Sequence, residues 1–401
     1  MRVLVVSNLF PPHYLGGYEL LCRQVCEGLT ARGHSVEVIT SRHGVDPRDP
    51  PEPGVHRELH LVSPFEAPPV MERSVRLRVG RINEAIARDW MQRVRPDVVF
   101  VWSQLRITLG PSRAASRLGL TTVFTFNDEH PLIFVPRPPS WRPRRLVGAL
   151  LDATLYRELF LEHLDLSHVT CISRHLLDRL VAGGLPVRHA RVIHQSIAID
   201  DFPPRPDPGS LQMPPRLLFV GQMLPYKGAH LLVEAVGRLI AAGREVRLTL
   251  VGSGEADYEQ RLRQEARDLG DRVTFLGRVD RADLPAIYRA HDLFVFPSTS
   301  VEGFGLTFLE AMASGVPVVA TDSGGHGEVI RHGVNALVFP EGDGEALAAA
   351  IARMLDDEEL RRGLARRALE EVRRRFHFDR YLDEIEDFLE EAVRQGPRRS
   401  R

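Results

Sequence analysis

The chain has 401 residues, 43% of them hydrophobic and 26% charged, with 52 basic against 53 acidic side chains and a formal net charge of −1. That balance excludes a protein that grips nucleic acid through overall charge, and the length allows two or three domains. Three cysteines, Cys22, Cys26 and Cys171, are too sparse for a secreted disulfide scaffold, so a reducing, cytoplasmic setting is expected.

Residues 3–7 form a β-branched apolar run that predicts a strand, followed by Pro11-Pro12, the paired Gly16 and Gly17, and a helical pattern over 18–32. Cys22 and Cys26 share a face of that helix, where two small buried residues are the simpler reading than a metal pair. Residues 36–40, 97–101, 122–126 and 169–172 repeat the apolar strand signal. Strand, glycine-bearing loop, helix and strand in alternation predict a parallel α/β domain over 1–201. A helix is expected over 146–163, preceded by a basic stretch around Trp141 that leaves peripheral membrane contact open. Nothing near the N-terminus has the length of a secretory apolar region, and no uncharged apolar stretch approaches ~20 residues.

Residues 202–215 contain Pro203, Pro204, Pro206, Pro208, Pro214 and Pro215, which predicts an interdomain linker. The alternation then restarts, with strands expected at 216–220, 246–251, 273–276, 293–297 and 316–321 and helices between them. The expected second domain is therefore 216–376. Residues 377–401 are expected to form a helix returning to the first domain and a disordered tail. The fold class expected is α/β, two doubly wound Rossmann-like domains facing across a central cleft, with a ligand at the carboxyl ends of the strands.

The segment 298–321 carries the most chemistry. A strand ends at Pro297, a loop with Gly303 and Gly305 follows, and a helix begins near Leu306. Glycines let bare amides approach a ligand beside a helix N-terminus, a geometry that accepts phosphate. Glu302 and Glu310 flank that point, and an ionised carboxylate only accepts hydrogen bonds, which suits donating sugar hydroxyls. Of the 52 basic residues, one alone is lysine, Lys227.

The run Glu302-Gly303-Phe304-Gly305, Glu310-Ala311-Met312-Ala313, Gly315 and Pro317-Val318-Val319 resembles the signature of the retaining family 4 glycosyltransferases, which have the GT-B fold. The resemblance implies that Glu310 binds the ribose of a nucleotide-sugar donor and that Glu302 touches the transferred sugar. It implies further that the backbone at Phe304, Gly305 and Leu306 meets the donor. Gln222 and Lys227-Gly228 align with the family's phosphate-binding loop, where arginine usually stands in place of Gln222. Arg278 and Val279 match the base-reading loop, Gly324, Gly325 and Glu328 the closing loop, and Gly16 and Gly17 the amides that cap the donor phosphate. Relatives commonly carry histidine where this chain has Asn127, and Gln195-Ser196-Ile197-Ala198 departs from the usual Asn-Gly-Val-Asp.

The resemblance thus implies a hexosyltransferase-like enzyme that keeps the anomeric configuration and works without metal or other cofactor. The chain holds no Asp-x-Asp triplet, in keeping with that. Glu302, Lys227 and Asn127 are the expected reactive-centre residues. The acceptor would be a glycan, a lipid-linked sugar or a small molecule, with polysaccharide biosynthesis as a setting and no nucleic-acid partner. Two rivals remain: a binding or scaffold protein that kept the fold, motivated by Asn127, Gln195 and Gln222, and a sugar-nucleotide epimerase. Replacing Glu310 by alanine is expected to weaken donor binding with little change in melting temperature.

Overall fold

Strands buried on both faces need near-continuous apolar sequence, and Val3, Leu4, Val5 and Val6, each at most 1% exposed, supply it at the centre of the first sheet. In the computed structural model, which describes residues 1–46, 48, 50–65, 70–136, 151, 154–187 and 190–397, the chain divides into two units. The first comprises residues 1–172, 176–193 and 382–401, and the second 173–175 and 194–381.

In the first unit, β1 (Arg2–Ser7), β2 (Ser35–Ser41), β3 (Val55–Leu59), β4 (Val98–Val101), β5 (Thr122–Phe126), β6 (Val169–Cys171) and β7 (Arg191–Val192) form one parallel sheet. Its order is β3-β2-β1-β4-β5-β6-β7. Val3 pairs with Val36 on one side and Val98 on the other, which makes β1 the strand where the winding reverses.

The helix Arg73–Val94 has no counterpart among the predicted elements. Its buried face is half polar: Asn83 Nδ2 donates to the carbonyls of His60 and Ile107, each at 2.8 Å, and Glu84 pairs with Arg113. An apolar-periodicity reading misses such a helix because hydrogen bonds, rather than carbon, fill its core positions. The helix expected over 146–163 lies partly outside the described residues. From Thr154 to His163 the chain makes turns and two short 3₁₀ segments instead. Leu159, Phe160 and Leu161 are all buried in succession, which one face of an α-helix cannot do.

The second sheet contains β8 (Arg216–Val220), β9 (Arg247–Val251), β10 (Val273–Gly277), β11 (Leu293–Phe296), β12 (Val318–Ala320) and β13 (Leu337–Val338), in the order β10-β9-β8-β11-β12-β13. Its winding reverses between β8 and β11. The core beneath joins Leu217, Phe219, Leu232, Val236, Leu250 and Ile351.

The segment 202–215, expected as the interdomain linker, groups with the second unit. Phe202 is 1% exposed, and Arg205 donates to the His291 carbonyl at 2.7 Å and to Asp292 at 3.2 Å. The prolines do exclude helix and ladder strand, but a chain without regular structure can still be strapped down by its side chains. The unit boundary falls earlier, after Ile193. The last helix, Phe378–Gln395, groups with the first unit from Leu382 onward. There Leu382 seats on Gly28, where an added Cβ would meet its Cδ2 at 2.5 Å. Among the described residues no helix is long and apolar enough to cross a membrane.

Candidate functional site

At the reversal point of the second sheet, the loops after β8 and β11 and the loop after β12 are drawn together by glycines. Gly228 has φ +72°, and a Cβ there would stand 2.1 Å from the Pro297 carbonyl oxygen. A Cβ on Gly325 would stand 1.8 Å from the Gly303 oxygen, and Gly325 N–H donates to the Glu302 carbonyl at 2.9 Å. Gly305, at φ +86°, leaves room for the Phe296 ring, 2.6 Å from where its Cβ would be. Only glycine permits these approaches, so the loops meet backbone to backbone.

That convergence brings Lys227 against Glu302, its ammonium donating to Oε2 with both side chains largely buried. Burial alone would raise the carboxyl pKa and lower that of the amine. The charge and hydrogen bond each gives the other outweigh it, so Glu302 is held below, and Lys227 above, its ordinary value. The backbone N–H of Phe304 also favours the Glu302 carboxylate. His326 is fully buried, makes a 2.9 Å hydrogen bond between Nε2 and Thr321 Oγ1, and has its pKa pushed down to about 4 chiefly by desolvation. It is a neutral wedge under the loop.

Glu310 is 2% exposed and has partners on both oxygens: Arg281 Nη1 donates to Oε1 at 3.0 Å and the Tyr288 hydroxyl to Oε2 at 2.9 Å. Burial and the neighbouring carboxylate push the Tyr288 hydroxyl well above its ordinary pKa, so it remains a donor. Removing Glu310 would leave the Tyr288 hydroxyl the Thr307 carbonyl, at 3.2 Å, as its remaining acceptor and would free the partly exposed Arg281 guanidinium to water.

The Phe304 ring is fully buried, stacked on His194 at 5.3 Å between centroids, so only its backbone is available to a ligand. Gly305 and Leu306 are half-buried on the same loop, just before the helix Thr307–Ala313. Glu328 of the closing loop is a brace: His175 N–H donates to one oxygen and His194 Nε2 contacts the other, each at 2.8 Å. Gln222 is exposed after β8, while Arg278 is exposed and Val279 half-buried after β10. Gln195 and Ser196 are buried.

Gly16, Gly17 and Asn127 belong to the first unit. The Gly16 amide there donates to Glu19 Oε2 at 3.1 Å, so the helix Gly17–Ala31 starts with its own carboxylate. Asn127 Nδ2 donates to the Tyr18 hydroxyl at 3.1 Å. Arg281, Tyr288 and His326 were not singled out from sequence. Nothing marks Arg281 among so many arginines; the long-range contact with Glu310 alone does.

Two family models match the chain in tandem, Glycosyltransferase Family 4 over residues 15–201 and Glycosyl transferases group 1 over 204–371. The chain belongs to glycosyltransferase family 4. A phosphatidyl-myo-inositol mannosyltransferase of Mycolicibacterium smegmatis is 27% identical to it over 371 residues, covering 90% of this chain and 86% of the relative. A GDP-mannose-dependent α-(1-6)-phosphatidylinositol monomannoside mannosyltransferase of Mycobacterium tuberculosis is 27% identical over 97% of this chain and 98% of its own. Among solved structures, sucrose-phosphate synthase from Thermosynechococcus elongatus superposes with a TM-score of 0.75 at 24% identity, over 98% of this chain and 100% of that one. The Anabaena protein HepE, solved with UDP-glucose, gives 0.69 at 23% over 98% and 100%. This glycosyltransferase therefore has the GT-B fold, two Rossmann-like parallel-sheet domains, and its Lys227–Glu302 pair stands at the reversal point of the second.

Proposed function

We propose that this enzyme moves a sugar from a nucleoside-diphosphate sugar to an acceptor hydroxyl, with retention at the anomeric carbon and without a metal ion. The Lys227–Glu302 pair at the carboxyl edge of β8 and β11 carries the reading. Lys227 has three N–H donors and gives one to Glu302, leaving two for the oxygens of a departing diphosphate. Its raised pKa keeps it cationic over the working pH range. Glu302, held ionised, offers its Oε1 to a hydroxyl of the transferred sugar. Glu310, fixed by Arg281 and Tyr288, accepts from the ribose of the same donor.

Charge grows on the diphosphate as the bond to the anomeric carbon breaks, so a preset cation in a largely buried site stabilises the transition state more than the ground state. The donor set also supports metal independence. Glu302 and Glu310 are each engaged by a cationic side chain, and a divalent ion would have to displace Lys227 or Arg281 to be ligated there. The mannosyltransferases among the relatives support GDP-mannose as a first donor and a phosphoinositide-like lipid as a first acceptor, with contact at the membrane surface during transfer.

Calorimetry against UDP-, GDP- and ADP-sugars, followed by mass spectrometry of products with and without chelator, tests this. One donor of the panel is expected to bind and to be hydrolysed slowly without acceptor, with chelator making no difference. Absence of binding to every donor would refute the reading. Binding with no turnover, even with lipid or glycan extracts, would favour a non-catalytic sugar-nucleotide binder. The one-bond carbon–proton coupling at the new anomeric centre reads retention or inversion.

A further inference from the structure

In the second unit the Glu310 carboxylate is paired before any ligand arrives. Arg281 Nη1 donates to Oε1 at 3.0 Å and the Tyr288 hydroxyl to Oε2 at 2.9 Å, and only 3% of the glutamate side chain is left exposed. A carboxylate can accept more than two hydrogen bonds, but a hydroxyl coming from solution must first reach it, and at this burial another group stands in the way. The two partners differ in their freedom to move. Tyr288 is fully buried, its ring edge-on to Phe202 at 5.9 Å between centroids, and its hydroxyl is also within 3.2 Å of the Thr307 carbonyl. Arg281 opens the 3₁₀ turn Arg281–Asp283 in the loop after β10, and 26% of its side chain faces solvent. A ligand that reaches Glu310 therefore comes in past Arg281.

Arg281 also has a second seat. Its guanidinium stands 5.5 Å from the centroid of the Phe202 ring, an aromatic face that attracts a cation without a carboxylate. Phe202 is 1% exposed and stays in place, while Glu310 is held on the helix Thr307–Ala313 and cannot follow the arginine. A guanidinium meets a carboxylate with N–H donors from one plane, much as the neighbouring hydroxyls of a ribose would with O–H donors. The two are alternatives for one place.

We propose that Arg281 is an exchange residue for the donor: it holds Glu310 in the resting enzyme, gives way to the ribose hydroxyls of a nucleoside-diphosphate sugar, and takes the carboxylate back as the nucleoside diphosphate leaves. The proposal rests on the transferase reading above and adds to it the step by which a closed site opens. Tyr288 stays on Oε2 throughout and keeps the carboxylate aligned. Exchange leaves the buried carboxylate paired at every stage, which matters because an ionised group stripped of its donors in a buried site is strongly destabilising. It also lowers the affinity for donor and product nucleotide alike, and so favours product release, the step that sets kcat in many enzymes. A brace would act in the opposite direction. If Arg281 served only to orient Glu310 for the ribose, its loss would weaken binding.

Calorimetry at pH 8 with UDP, GDP and ADP, and with the 2′,3′-dideoxy form of each, reads the exchange in wild type, Arg281→Ala, Arg281→Gln and Arg281→Lys. Arg281→Ala is expected to bind at least one ribonucleotide about tenfold tighter than wild type, the size of one charge-assisted hydrogen bond that no longer has to be displaced. The dideoxy form has no ribose hydroxyl with which to displace Arg281, so its affinity should not rise. Arg281→Lys keeps a cation for Glu310 and should return to wild-type affinity, and Arg281→Gln, with an N–H donor but no charge, should fall between. In acceptor-free hydrolysis of the sugar nucleotide, Arg281→Ala should lower the donor KM and strengthen inhibition by the product nucleotide, changes that a merely loosened fold does not produce. Circular dichroism identifies a variant that fails to fold; should that be Arg281→Ala, the neutral Arg281→Gln carries the same test. Unchanged or weaker ribonucleotide binding in the folded neutral variant, or an equal gain for the dideoxy form, would overturn the exchange while leaving the transferase reading intact. If neither wild type nor the neutral variants bind any of these nucleotides, the transferase reading itself fails and the exchange with it.

Discussion

The two units share one winding rule and use it differently. In the second, the loops at the reversal point are locked by Gly228, Gly305 and Gly325 around a buried ion pair. In the first, the loops at the reversal point surround an aromatic hollow, and its rim carries a histidine held by a single aspartate. A site closed by backbone contacts has one shape and suits a ligand part that never changes, such as a diphosphate. A hollow walled by side chains is tuned by single substitutions. The comparison teaches that similar sheets can separate invariant recognition from adjustable recognition by what closes the loops.

Perturbing each side in turn tests that contrast. The largest effect is expected from Lys227→Ala, which should lower kcat/KM by about 10²–10³, the usual result of deleting one preset charge-stabilising donor. The same variant leaves Glu302 buried without its cation, so its melting temperature should fall as well. Lys227→Arg separates the two, since a guanidinium can restore the charge but not the point geometry of an ammonium. Equal turnover in Lys227→Arg would mean the lysine has no special fit.

Next in size is the pH dependence set by His326. Its folded pKa of about 4 lies below the unfolded value of 6.5, so the unfolded chain binds the extra proton first as pH falls. Stability is then full above about pH 6.5 and declines toward pH 4, by on the order of 3 kcal/mol for this group. Thermal melts at pH 7, 6 and 5 should fall steadily, and the decline above pH 5 should be shallower in His326→Phe. Glu302, whose pKa is depressed, acts lower: its contribution is present above about 4.5 and lost as pH falls further. An unchanged slope in His326→Phe would show that this histidine is not the cause.

Gly325→Ala forces a Cβ onto the Gly303 carbonyl oxygen and should cost about 2 kcal/mol, seen as a drop in denaturant midpoint at constant slope. Glu310→Ala should cost less, about 1 kcal/mol, because Tyr288 keeps the Thr307 carbonyl and Arg281 reaches solvent, and it should weaken donor binding. In the first unit, Tyr18→Phe removes a hydroxyl that donates to the Trp102 carbonyl and accepts from Asn127, and should cost only about 1 kcal/mol. If that change were the more damaging, the ranking of a rigid second unit over an adjustable first would be reversed.

Legibility from sequence followed the same division. Strands β1, β5, β8 and β11 could be read because buried parallel strands are runs of consecutive apolar residues. The Glu302 to Glu310 segment could be read because its residues are contiguous, with glycines at fixed places. The Arg73–Val94 helix escaped because Asn83, Glu84 and Arg76 occupy its buried face. Arg281 and Tyr288 escaped because they meet Glu310 only through folding, as did the hold of Arg205 on His291 and Asp292.

Lys227 also makes the enzyme unusually easy to observe. With one lysine in 401 residues, growth on ¹³C-lysine places one labelled side chain in the whole molecule and leaves its three N–H donors intact. Its resonance reports the Glu302 contact in the resting enzyme. Titrated with nucleoside diphosphate, that single line follows the arrival and departure of the phosphate without a substrate analogue or a second mutation.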